Sequence, residues 1–209
     1  MKKLIIAITS AFMLLANSAM SMDLRPAVGI SGSYGVYAAT GIENNFNDAG
    51  TAIDETTKEY GAFDESFGSV FLELGLNDVL SLGIDYVPDT IRTPENTSND
   101  GGVNTNHVYA EFDDYTTMYI KINVPLGGMY LKVGHSSIEV TSRENMSSGN
   151  SYGNASSDGM MVGFGYAHEL ANGFAVRAEI TGTEFSDVST NNGQTNKTEI
   201  KVEDMIGAR

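Results

Sequence analysis

Residues 69–86 read SVFLELGLNDVLSLGIDY. In steps of two, Val70, Leu72, Leu74 and Leu76 share one parity, and Ser69, Glu73 and Gly75 take the other. Beyond Asn77-Asp78 the split recurs, with Leu80, Leu82, Ile84 and Tyr86 against Ser81, Gly83 and Asp85. Successive side chains on a β-strand point to opposite faces, so this is a pair of strands, each with one oily side and one polar or empty side. A soluble sheet brings its bulky residues together in a core. Here the face left for an interior is glycine, serine and charge. That inversion is expected of a barrel whose outside meets lipid, where closure alone satisfies every strand backbone group.

Working outward, Met160, Val162, Phe164 and Tyr166 alternate with Gly163, Gly165 and Ala167. Eight strands are expected near 26–40, 66–76, 79–88, 107–124, 129–141, 159–169, 174–185 and 197–209. Short turn-forming connections (Asn77-Asp78, Pro125 to Gly128, Leu170 to Gly173) alternate with long polar ones at 41–65, 89–106, 142–158 and 186–196. Short turns on one side and long loops on the other define an all-β, eight-stranded antiparallel up-and-down transmembrane barrel, with periplasmic turns and extracellular loops. A soluble jelly-roll or sandwich is the competing architecture. The final strand is expected to be short or imperfect, or the sequence to be truncated by a few residues.

The amino terminus gives a matching address. Lys2 and Lys3 precede the apolar stretch Leu4–Ala16, and Ala19-Met20-Ser21 offers small residues for cleavage before Met22. Residues 1–21 read as a secretory signal peptide and 22–209 as the barrel domain of a Gram-negative outer-membrane protein. No later apolar run approaches the ~18 residues of a transmembrane helix. Cysteine is absent, which removes N-terminal lipidation, disulfides and thiolate metal sites. The formal net charge of −15 argues against nucleic acid as a partner.

The outward parity collects Val28, Ile30, Tyr34 and Val36; Met118, Ile120, Ile122 and Val124; Met129, Leu131 and Val133; and Phe174, Val176, Ala178 and Ile180. Tyr34, Tyr86, Tyr115, Tyr166 and Phe174 sit near strand ends, as interfacial girdles require. The inward parity collects Glu73, Asp85, Lys121, Lys132, Arg177 and Glu179. An eight-stranded lumen is only wide enough for side chains to fill, and buried ions persist there only when paired. These six are expected to form a polar plug; an ion pathway is the alternative.

Tyr130-Leu131-Lys132-Val133-Gly134, the glycine-alternating stretch Asp158 to Tyr166, the turn at Asn172-Gly173 and Phe174-Ala175-Val176-Arg177-Ala178-Glu179 together resemble the OmpA/OmpX-like family of small outer-membrane barrels. The resemblance implies a polar lumen, mobile outer loops and charged positions at Arg177 and Glu179. It says little about activity. Such barrels normally finish in an aromatic residue, whereas this chain stops at Ile206-Gly207-Ala208-Arg209.

Two chemical candidates stand beside this reading. His135, Ser137 and Glu139 share a parity, and the His-x-Ser pair is similar to that of PagL-type lipid A deacylases. Residues two apart lie ~6.5 Å apart along a strand, so Glu139 would have to reach past Ser137. The apolar Ile138 and Val140 suggest that a bulge switches the faces here. Acidic residues of 41–65, with Glu111, Asp113 and Asp114, could draw Ca²⁺ or Mg²⁺, but no fixed ligand spacing is present. The expectation is therefore a non-enzymatic outer-membrane protein with a structural or surface-interaction role and no cofactor. Its expected partners are outer-membrane lipid and lipopolysaccharide, the barrel insertion machinery, and surface ligands met by the four loops. A narrow channel for small or hydrophobic solutes and a lipid A deacylase are the alternatives.

Overall fold

The structure, a computed structural model, describes residues 24–99, 105–145, 152–193 and 198–209. The leader at 1–21 and parts of the loops 89–106, 142–158 and 186–196 lie outside the described residues. The strands are β1 (Arg25–Phe46), β2 (Ile53–Gly75), β3 (Leu80–Tyr86), β4 (Ile91–Arg92), β5 (Asn96–Asn99) and β6 (Thr105–Asn123). They continue with β7 (Met129–Asn145), β8 (Ala155–Glu169), β9 (Ala175–Phe185), β10 (Val188–Asn191) and β11 (Thr198–Ala208). The ladder runs β1-β2-β3-β6-β7-β8-β9-β11 and returns to β1, an antiparallel ring of eight strands. β4 and β5 add to the upper part of β6, and β10 to the upper part of β11.

The short connections carry the turn chemistry their composition announced. Asn77 Oδ1 accepts from the backbone N–H groups of Val79 and Leu80. Gly127 and Gly128 take positive φ between β6 and β7, and Gly173 does so at the end of a single 3₁₀ turn before β9. On the outside, Ile30 is 84% exposed and Phe174 70%, and Met118, Ile120, Leu131, Val162 and Phe164 are exposed alongside them. Leu72, Ile84, Ile120 and Phe164 do not converge on a dry centre. The oily parity looks out.

Three expectations are corrected. Residues 41–65 are not a loop: β1 and β2 pair from Arg25↔Gly75 up to Phe46↔Ile53, leaving a short turn at the tip of a long hairpin. β2 is exposed on both faces from Ile53 to Ala62, and the face that β1 buries above Ala39 carries Thr40 and Asn44, so no hydrophobic alternation marks the hairpin. Tyr115, assigned to the outer girdle, is buried in the interior beside Phe67 and Phe185. The change of face is on β6 rather than β7. Pairing with β7 passes from Thr116↔Ser137 to Asp113↔Glu139, so β6 carries one extra residue there, and Asp114 adopts φ 52°. β7 keeps its parity, with Ser136 and Ile138 buried and His135 outside.

That bulge has a consequence for packing. Below it β6 turns Tyr115, Thr117, Tyr119 and Lys121 inward; above it Phe112 and Ala110 face in instead. β11 also carries an extra residue between Glu203 and Ile206 where it runs beside Ala38 and Thr40 of β1. The interior therefore has two storeys: charged and hydroxylic below, apolar above, where Tyr37, Ile91, Ile138 and Phe185 form a core. The last strand meets β9 only over Ile206–Ala208, extended by paired backbone bonds between Arg209 and Thr181. Below that level no described ladder joins β9 to β1.

Candidate functional site

The lower storey is built by residues that successive strands aim at one another. Glu73 on β2, 4% exposed, is central. Lys121 of β6 donates to its Oε1. Arg177 of β9 grips it from across the lumen, Nη1 to Oε2 at 2.8 Å and Nη2 to Oε1 at 3.0 Å. Tyr119 Oη donates to Oε2 at 3.2 Å. Such a two-pronged guanidinium–carboxylate pair is among the stronger charge-assisted contacts. A second cluster forms on Glu179 of β9, which accepts from Lys132 Nζ and Tyr130 Oη, each at 2.9 Å.

The structure brings five of the six predicted charges into these two clusters, and they interlock. Lys132 Nζ lies 3.9 Å from the centroid of the Tyr119 ring, and the Arg177 guanidinium 5.0 Å from that of Phe71. Asp85 stands apart and takes a cation that sequence reasoning missed. Arg209 sends Nη1 and Nη2 to its Oδ1 at 3.4 and 3.3 Å, while Ser69 Oγ donates to Oδ2 at 3.1 Å. Ile206 and Ala208 face out while Gly207 and Arg209 turn in, but the extra residue between Glu203 and Ile206 flips the parity of β11 just before them and hides Arg209 from alternation. Tyr119 and Tyr130 could have been found, since they share the parity of Lys121 and Lys132.

Glycine makes the rings fit. Gly83 is paired with Tyr119 and Gly165 with Tyr130, and a Cβ at either glycine would collide with the ring opposite. Each tyrosine lies flat on the wall over a residue without a side chain, so its hydroxyl reaches the carboxylate instead of filling the lumen axis. The space left beside these groups is about 110 Å³, room for a few waters.

On the outside, His135 Nε2 lies 3.4 Å from Asp158 Oδ1, and Glu139 accepts from Asn154 Nδ2 at 3.3 Å. No hydrogen bond among the described residues joins Ser137 to His135 or Glu139 to His135. A serine nucleophile needs its base within hydrogen-bond reach, and this geometry does not supply one. Glu111 is held by Arg143 Nε at 2.6 Å, Asp113 by Thr90 Oγ1 at 2.5 Å and Asp114 by Tyr86 Oη at 3.0 Å. Among the described residues no group of three or more such side chains could hold a metal ion.

An antiparallel ring of eight strands with an oily exterior and an ion-paired interior defines a small integral outer-membrane barrel. Residues 7–203 match the family described as outer membrane protein beta-barrel domain, and the chain belongs to it. This agrees with the resemblance carried by Tyr130–Phe185 and assigns the protein to the outer membrane. The solved structure of OprG from Pseudomonas aeruginosa is 11% identical, covers 85% of this chain and 93% of its own, and superposes with a TM-score of 0.52. Ail of Yersinia pestis, solved with the heparin analogue sucrose octasulfate, is 9% identical over 85% of this chain and 97% of its own, with a TM-score of 0.37. No curated protein matches the chain.

Proposed function

We propose that this protein is a non-enzymatic outer-membrane barrel, delivered by its N-terminal signal peptide and the barrel insertion machinery. Its lower lumen is shut by ion pairs and its upper hairpins are its working surface, meeting lipopolysaccharide and surface ligands. The observation that carries the reading is Glu73, which ties β2 to β6 and β9 through Lys121 and Arg177. Prising these charges apart to admit an ion would leave at least one of them buried and unpaired, at a cost of several kcal/mol. Envelope integrity and surface contact are then the roles left to strands and hairpins respectively.

Single-channel recording of the refolded protein in planar bilayers tests this. The expected trace is silent at salt concentrations where general porins open, and stable nanosiemens steps would overturn the closed lumen. A second reading, a narrow conduit for small or hydrophobic solutes, is favoured by the apolar upper storey. It requires the Glu73 and Glu179 clusters to move aside, and solute flux into liposomes distinguishes it.

A further inference from the structure

Above the ion pairs, Tyr37, Phe63 and Phe112 stack in series, with centroids 5.1 and 5.8 Å apart and planes 22° and 8° from parallel. Phe67, Tyr115 and Phe185 pack edge-on beneath them, and the Arg209 guanidinium lies 5.5 Å from the Tyr115 centroid. Over this aromatic floor is a cavity of about 370 Å³, walled by Ala39, Phe63, Ile91, Phe112, Val140 and Val202. Among the described residues that line it, Glu59 alone carries a charge.

The space is open to one side and its walls are mostly apolar, so it is a cleft that a guest can enter rather than a void sealed in the core. An apolar cavity of about 150 Å³ stays dry and holds benzene, so this one has room for a two-ring aromatic. The wall beside it has a way in. Pairing of β2 with β3 stops at Val70↔Tyr86, and β4 pairs with β6 alone, so no described ladder joins Glu59–Phe63 to Ile91 across the mouth. The mouth lies above the oily outer band, on the side that meets water.

We propose that this cavity is a receptor site for one small, uncharged aromatic molecule taken up between β2 and β4. Parallel ring faces suit a planar guest. Glu59 and the acidic β1–β2 hairpin repel anions, and the lining offers no second acid to fix a cation. The aromatic floor makes the site a dead end rather than a passage. In that respect alone the inference rests on the closed lumen proposed above.

The test uses the full chain in lipid nanodiscs, with naphthalene as the probe and methyl NMR as the readout. Saturable shifts are expected at Ile138, Val140 and Val202, while lipid-facing Leu72 and Val162 change only in proportion to naphthalene dissolved in the bilayer. Ala39→Phe, or Val140→Phe should the first not give a heat-shifted folded band, fills the space and weakens binding at least tenfold. Absence of saturation in the unaltered protein, shifts confined to lipid-facing methyls, or equal affinity in a folded filled variant would each overturn the site. Ion conductance in bilayers with naphthalene binding intact would sink only the closed-lumen reading.

Discussion

Gly165 faces the ring of Tyr130, which is 1% exposed and holds Glu179 through its hydroxyl. A valine here must drive the ring off its acceptor, because the atoms it meets belong to a rigid, enclosed tyrosine. Gly165→Val is expected to cost about 1–3 kcal/mol in urea unfolding from lipid vesicles. Gly182→Ala, with nothing within 4 Å of the added methyl, should leave the midpoint unchanged. Tyr37 makes the opposite point. Its ring lies against Gly35 and Gly207, and its hydroxyl is the buried side-chain polar atom without a partner among the described residues. An unpaired buried hydroxyl is a penalty of about 1–3 kcal/mol, so Tyr37→Phe should hold or raise the same midpoint. A loss above 1 kcal/mol would show that the hydroxyl has a partner in solution.

Among the elements, β6 decides what faces inward at each height. Its extra residue lets one strand present Lys121 and Tyr119 to the ion pairs and Phe112 to the apolar storey. Asp114 takes the left-handed conformation that glycine and asparagine tolerate and β-branched residues resist. Asp114→Asn and Asp114→Gly should insert normally, whereas Asp114→Val should lose about 1–2 kcal/mol of stability. Equal stability of the three would mean that the bulge is not fixed at this residue. This is also where reading by alternation ran out. Parity found the oily and polar faces of the lower strands, and with them Glu73, Asp85, Lys121, Lys132, Arg177 and Glu179, because a lipid-facing strand has one oily side throughout. A bulge flips parity without any compositional mark, so alternation does not place Phe112, and the change signalled by Ile138 lies on β6 rather than β7. The upper β1–β2 hairpin reads as loop because β2 is exposed on both sides from Ile53 to Ala62 and β1 buries polar residues there. The extra residue between Glu203 and Ile206 hides Arg209 in the same way that the β6 bulge hides Phe112.

For the whole molecule, the ion pairs join strands that are not neighbours in the ring. Removing Glu73 leaves Lys121 and Arg177 facing each other in a largely buried space with their shared acceptor gone. Glu73→Ala is therefore expected to lower unfolding stability by about 3–5 kcal/mol. It should also shrink the fraction of protein that runs as the compact, unboiled species in SDS. An unchanged gel pattern together with an unchanged urea midpoint would show that Glu73 contributes little.

The Arg177–Glu73 clasp has a mechanical consequence too. A hollow cylinder of this girth could flatten into an ellipse under lateral pressure, but a strut from β2 to β9 near its turn-side end holds it round there. Bilayers thicker or thinner than the oily band must then deform around a stiff inclusion, so the lipid gives way and the protein does not.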